Sequence, residues 1–220
     1  MNIASHIRSL RETLPPQVKV VAVSKFHPAE KIREAYDAGQ RLFGESRVQE
    51  LMAKQQLLPK DVEWHFIGSL QRNKVKQIAP FISLIHSVDS ERLIQEVDRQ
   101  AAACGRVIPC LLQLHIAQEE TKSGFSPDEC RRFLEEGSWK KCAHVQLAGM
   151  MGMATYTDNR EQVRREFRLL RSLFEESRAH FFASDPAFRE LSMGMSGDYP
   201  VAVEEGSTLI RVGTLIFGNR

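Results

Sequence analysis

The chain has 220 residues, 42% of them hydrophobic and 26% charged, with a formal net charge of +2. That size supports one sizeable core, and so balanced a charge excludes the basic surface of a nucleic-acid or anionic-membrane binder. No apolar run approaches the ~20 residues of a membrane helix, and MNIASHIRSL at the N-terminus lacks the apolar stretch of a signal peptide. Residues 2–14 place Ile3, Ile7, Leu10 and Leu14 on one helical face. A strand follows at 18–24, then HPAEKIREAYDAG as a helix with Pro28 near its first turn and Gly39 as its stop. RLFGE (41–45) reads as a strand before the helix SRVQELMAKQQLL. EWHFIGSL leads to a helix near 72–79, FISLIHSVD to SERLIQEVDRQAAACG, VIPCLLQLHI to SPDECRRFLEEG, and HVQLAGMMGM to a long helix over 159–180. RELSMG with DYPVAVEEG, then TLIRVG with a short closing turn, complete eight strand–helix units.

The strands are apolar runs, as expected of strands covered on both faces, and strict alternation with helices argues a parallel sheet. Eight units in 220 residues predict an α/β fold of one domain over 1–220, a single (β/α)8 TIM barrel. A doubly wound sheet is the rival, but no G-x-G-x-x-G follows any strand. The eighth unit has little room for a helix, and the extra N-terminal helix is expected to cover the gap.

Lys25 ends the first strand, KVVAVSK, on the face where such barrels build their sites. Apolar flanks should desolvate its amine and favour the free base, the nucleophile of Schiff-base chemistry. A lysine snorkelling from the barrel mouth fits the same pattern. The turns MGMSGD and RVGT lie at the ends of strands seven and eight, where barrels commonly bind phosphate. Ser196 and Thr214 offer hydroxyls there, and Gly213 allows close backbone approach. Ordinary β–α turns also use these residues. An amine beside a phosphate cup suggests a phosphorylated aldehyde, of which pyridoxal 5′-phosphate is the obvious one.

VAVSK (21–25), FGESRVQE (43–50), WHFIGSLQRNK (64–74), ETKSGF (120–125), GMMGMAT (149–155) and the run 191–220 resemble, in this order, the pyridoxal phosphate homeostasis proteins. These are relatives of the barrel domain of bacterial alanine racemase. The resemblance implies that Lys25 forms a Schiff base with the cofactor. It also implies that Ser196, Gly213 and Thr214, with Met195 beside them, hold the phosphate and that Arg211 faces the pyridine nitrogen. His65 and Ser46 are placed near the cofactor, Ser46 standing where many members have asparagine, although His65 taken by itself reads equally as a core histidine satisfied by backbone. Ser69 replaces a frequent proline and His115 an expected asparagine.

Cofactor carriage or buffering without turnover is the function the resemblance implies, in the cytoplasm, by a monomer. Apoenzymes that use the cofactor are the expected recipients, with no nucleic-acid or membrane partner. A small racemase is the alternative. It needs a second acid–base group, and Tyr36, Tyr156 and Tyr199 sit in no recognisable base motif. A class I aldolase would also use a barrel lysine, but needs neither the cup nor Arg211.

Other residues are expected to be structural. Cys104, Cys110, Cys130 and Cys142 lack metal-ligand spacing and read as packed small hydrophobes. Met150, Met151, Met153, Met193 and Met195 should line and fill the barrel. Arg160, Arg164, Arg165, Arg168 and Arg171, sharing a helix with Glu161 and Glu166, read as a solvated face. Asp198 is expected to cap the helix after strand seven.

Overall fold

The computed structural model describes residues 2–118 and 123–218. Eight parallel strands close into a barrel in chain order: β1 (Lys19–Val23), β2 (Leu42–Glu45), β3 (Glu63–Phe66), β4 (Leu84–Val88), β5 (Ile108–Leu114), β6 (Val145–Gly152), β7 (Glu190–Ser192) and β8 (Leu209–Val212). Closure is made by β8 on β1, with Val21 opposite Arg211 and Ala22 opposite Val212. This is the predicted (β/α)8 architecture.

The helices are α1 (Ile3–Glu12), α2 (Ala29–Asp37), α3 (Val48–Leu57), α4 (Val75–Ile78), α5 (Glu91–Ala103), α6 (Pro127–Glu136), α7 (Arg160–Phe181), α8 (Tyr199–Glu204) and α9 (Thr214–Phe217). Local chemistry sets many of their ends. Ser126 and Glu129 form a reciprocal capping box on α6, and Gly137 ends it at φ 67°. Pro28 departs from its expected place in the first turn and occupies the N-cap of α2. The helix expected near 72–79 is a 3-10 turn over Arg72–Lys74 running into the single turn of α4.

The core has two layers. Outside the barrel, strand residues such as Ala22, Phe43 and Ile85 pack under helix residues such as Ile32, Leu93 and Phe167. Inside lies a smaller cluster of Val21, Leu84, Leu111, Ala148, Met151 and Leu209. Because side chains alternate along a strand, Arg211 on β8 shares the inward face with Leu209. Helix α1 packs against α2 and α9, with His6 Nδ1 3.0 Å from the Ile216 carbonyl, so it covers the short eighth unit as expected.

Three structural expectations need correction. Cys110 and Cys130 are buried, and desolvation raises both thiols, Cys130 to about 12, but Cys104 is exposed and does not pack. Met150, Met151 and Met193 fill the interior, whereas Met153 and Met195 are exposed at the C-terminal mouth. The α7 arginines are not all a solvated face. Arg164 and Arg168 reach Glu205 at 2.7 and 3.0 Å, tying α7 to the end of α8, while buried Glu166 accepts from the Thr155 amide at 2.7 Å.

Candidate functional site

A cavity of about 740 Å³ opens at the C-terminal ends of the strands. Lys25, Ser46, Met195, Ser196, Arg211, Gly213 and Thr214 all line it, so seven of the eight predicted positions come together. Lys25 is half-buried just beyond β1. Beside it, on the neighbouring strands, the turns after β7 and β8 are joined, the Gly213 amide donating to Ser196 Oγ at 3.3 Å. A side chain at Gly213 would press on the Val23 carbonyl at 3.1 Å, whereas the Cβ position of Gly197 is open. Thr214 heads α9, so its amide belongs to the first turn, which has no intrahelical acceptors. Asp198 holds the N-cap position of α8 but does not cap that helix. Its carboxylate instead turns back to the Met195 amide at 2.5 Å, and burial raises its pKa.

Arg211 is buried, donating to Ser192 Oγ at 2.6 Å and to the Gly152 carbonyl at 3.0 Å. Desolvation lowers its pKa to about 10, with the charge of Asp198 opposing, so it stays a cation at neutral pH. Among the described residues no carboxylate forms an ion pair with it. Ser192 Oγ lies 2.9 Å from His86 Nδ1, and His86 Nε2 lies 2.9 Å from His65 Nδ1.

His65 therefore does not line the mouth cavity. It sits in the interior and borders a second cavity at the N-terminal end, with Lys19, Glu63 and Glu190. Burial lowers the His65 pKa to about 3, helped by the charge of Lys19. His86 is likewise pushed well below the usual imidazole range by burial, then by His65 and Arg211. Two neutral rings joined nitrogen to nitrogen need one to donate and the other to accept. The sequence reading missed His86 and Ser192, which lie in no motif but one. Ser192 is the second residue of the matching run 191–220, where inward alternation on the strand beside that of Arg211 was the available signal.

Of ETKSGF, residues 120–122 lie outside the described residues, and Ser123 accepts from Gln113 Nε2 at 3.1 Å. His115 borders an adjoining cavity that shares Met153, Ala154, Tyr156 and Met195 with the mouth.

The site's donors suit an anionic ligand bearing a carbonyl: an amine at one wall, hydroxyls and glycine amides at the other, and a buried guanidinium between neutral acceptors. The alanine racemase N-terminal domain family matches residues 1–220. The pyridoxal phosphate homeostasis protein of Aquifex aeolicus is 41% identical over 203 residues, covering 92% of this chain and 87% of its own. The chain belongs to the pyridoxal phosphate homeostasis protein family. Its Synechocystis member is 37% identical, over 94% of both chains. The family's PipY from Synechococcus elongatus, solved without pyridoxal phosphate, superposes with a TM-score of 0.91 at 42% identity, covering 99% of this chain and all of that one. PipY with pyridoxal phosphate bound superposes at 0.87. Alanine racemase of Clostridium difficile shares the fold at 0.78 and 13% identity, this chain covering 57% of it.

Proposed function

We propose that this protein binds pyridoxal 5′-phosphate as a Schiff base on Lys25 and carries or buffers it without turning over a substrate. The observation that carries the reading is the convergence of Lys25, the Ser196–Gly213–Thr214 wall and buried Arg211 on one cavity. It is supported by relatives that bear the homeostasis name and by PipY, which has been solved with the cofactor bound. When bound, the cofactor supplies a reactive aldehyde on an electron-accepting ring.

The chain's own groups then have distinct tasks. Lys25 provides the amine. Ser196, Thr214 and the amides of the two turns bind the phosphate, with Met195 packing beside them. Ser46, which lines the cavity just beyond β2, would contribute a hydroxyl on the ring side. Arg211 can only donate, since guanidinium has no acceptor lone pair. Placed at the ring nitrogen, it would leave that nitrogen unprotonated and the ring a weak electron sink. His65 acts one step behind, through His86 and Ser192. The whole of 1–220 serves as one cofactor-binding domain, a cytoplasmic monomer that passes its load to apoenzymes.

Absorbance of the purified protein, borohydride reduction and peptide mapping test this reading. We expect a yellow protein with reduced cofactor on Lys25, and loss of the visible band in Lys25→Ala. Cofactor on another lysine refutes the assignment.

One observation favours the racemase alternative: Tyr156 lines the cavity. Tyr36, by contrast, is engaged with Asp61 at 2.7 Å, away from the site. Lys25-dependent and Tyr156-dependent exchange at an amino-acid α-carbon would establish that alternative.

A further inference from the structure

We infer that Glu50 and Lys54, both on α3, form a clamp on the backbone either side of Lys25 and thereby set how readily its amine reacts with the aldehyde; this rests on the reading of Lys25 above. Lys54 Nζ donates to the Ser24 carbonyl at 2.9 Å. Glu50 Oε2 accepts from the Phe26 amide at 2.9 Å. The two residues flanking Lys25 are thus gripped by side chains one turn apart on a single helix. The grip is cross-braced. Lys54 also donates to Glu45 Oε1 at 2.8 Å and to Glu50 at 3.3 Å, and Ser24 Oγ donates to the same Glu45 oxygen at 2.6 Å.

Two features call for such a device. Phe26 has φ 65°, a left-handed conformation that a bulky side chain adopts only when its surroundings impose it. The Glu50 hydrogen bond lies on that very residue, and the Arg47 guanidinium stands 4.9 Å over its ring. Second, the braces are costly. Glu45 is fully buried, its Oε2 has no hydrogen-bond partner, and Lys54 is nearly buried beside it. Buried ion pairs are weak contributors to stability compared with apolar packing, and their best use is to fix one geometry. Neither Glu45, Glu50 nor Lys54 lines the cavity, so they are positioning residues that act through Lys25. The FGESRVQE motif thereby acquires a role beyond Ser46, since both of its carboxylates belong to the clamp.

In the step concerned, the lysine nitrogen bonds the aldehyde carbon, and the carbonyl oxygen leaves as water with both hydrogens of the neutral amine. No electrons are exchanged with a third party. Pyridoxine 5′-phosphate, which has an alcohol in place of the aldehyde, shares the ring and phosphate but cannot take this step. It is therefore the control ligand.

The experiment compares full-length wild type, Glu50→Ala, Glu50→Gln and Lys54→Arg. It measures the rate of visible-band formation with pyridoxal phosphate and the dissociation constant for pyridoxine 5′-phosphate. For Glu50→Ala we expect band formation about tenfold slower and pyridoxine phosphate binding within about twofold of wild type. Glu50→Gln, which keeps an acceptor oxygen, should recover most of the rate. Lys54→Arg keeps the charge opposite Glu45 but displaces the donor, and should show the same split as Glu50→Ala. Equal loss of both ligands in the variants would make these residues general supports of the fold and overturn the clamp. An unchanged rate in Glu50→Ala and Lys54→Arg would overturn it as well. A wild type that forms no band overturns the Lys25 reading itself, an outcome distinct from either of these.

Discussion

Acidification should destabilise this barrel earlier than its carboxylates alone would dictate. His65 and His86 are buried, neutral and joined ring to ring. The folded pKa of His65 is about 3, against about 6.5 for a free imidazole. Between those values the unfolded chain binds a proton that the folded chain does not. The stability from keeping the ring neutral is thus fully present above about pH 6.5 and lost as pH falls toward 3. Each such histidine contributes a slope of about 1.4 kcal/mol per pH unit inside the window. From pH 6.5 to 5, His65 alone costs ~2 kcal/mol and the pair ~4 at most, a large share of a typical 5–15 kcal/mol. Urea unfolding followed by circular dichroism at several pH values in this range measures the slope. In His65→Gln the slope should drop by about 1.4 kcal/mol per pH unit, whatever the constant penalty from the altered hydrogen bond. Equal slopes in wild type and variant would show that His65 does not enter the fold neutral, and would refute the reasoning.

Thr214→Val should weaken pyridoxal phosphate retention roughly tenfold or more while leaving the circular dichroism spectrum unchanged, because one hydrogen bond to a charged phosphate is worth ~1.5–3 kcal/mol. An unchanged dissociation constant would place the phosphate elsewhere. Solvent-deuterium exchange at the α-carbon of L- and D-alanine should stay near background if Arg211 faces the ring as proposed and leaves it a poor electron sink; rapid exchange lost in Lys25→Ala would contradict this. In the native protein a maleimide should label exposed Cys104 readily and spare buried Cys110 and Cys130 until urea is added, as mass spectrometry of the peptides would report.

The barrel was legible because its signal is local and repeated: apolar runs such as VVAV and IPCLLQL recur between helices with clear starts and stops. The mouth residues were legible for a related reason, since each lies within four positions of a strand end. What escaped the sequence depends on contacts between distant segments. His65 looked like a residue of the site because it sits in a strand motif. Only the register of the closed barrel reveals that it faces the N-terminal cavity and reaches Arg211 through His86 and Ser192. Periodicity pairs Lys54 with Glu50 one turn away, but its other two partners lie 9 and 30 residues away, too far for it to reach. Helical spacing accounts for the long Arg164–Glu161 pair at 3.9 Å, but not for the shorter bonds of Arg164 and Arg168 to Glu205 on a different element.

The closure of β8 on β1 also bears on how the protein comes into being. Lys25 follows β1 and Thr214 follows β8, which is synthesised well after it, while α1 is braced by the turn that carries Thr214. The two walls of the cavity are thus made at opposite ends of translation, and neither encloses anything alone. On the proposed reading, a partly synthesised chain would carry the amine without the Ser196–Gly213–Thr214 turns, and capture of the ligand would await the final strand. Newly made molecules would then draw on the free cofactor pool only once the barrel is shut.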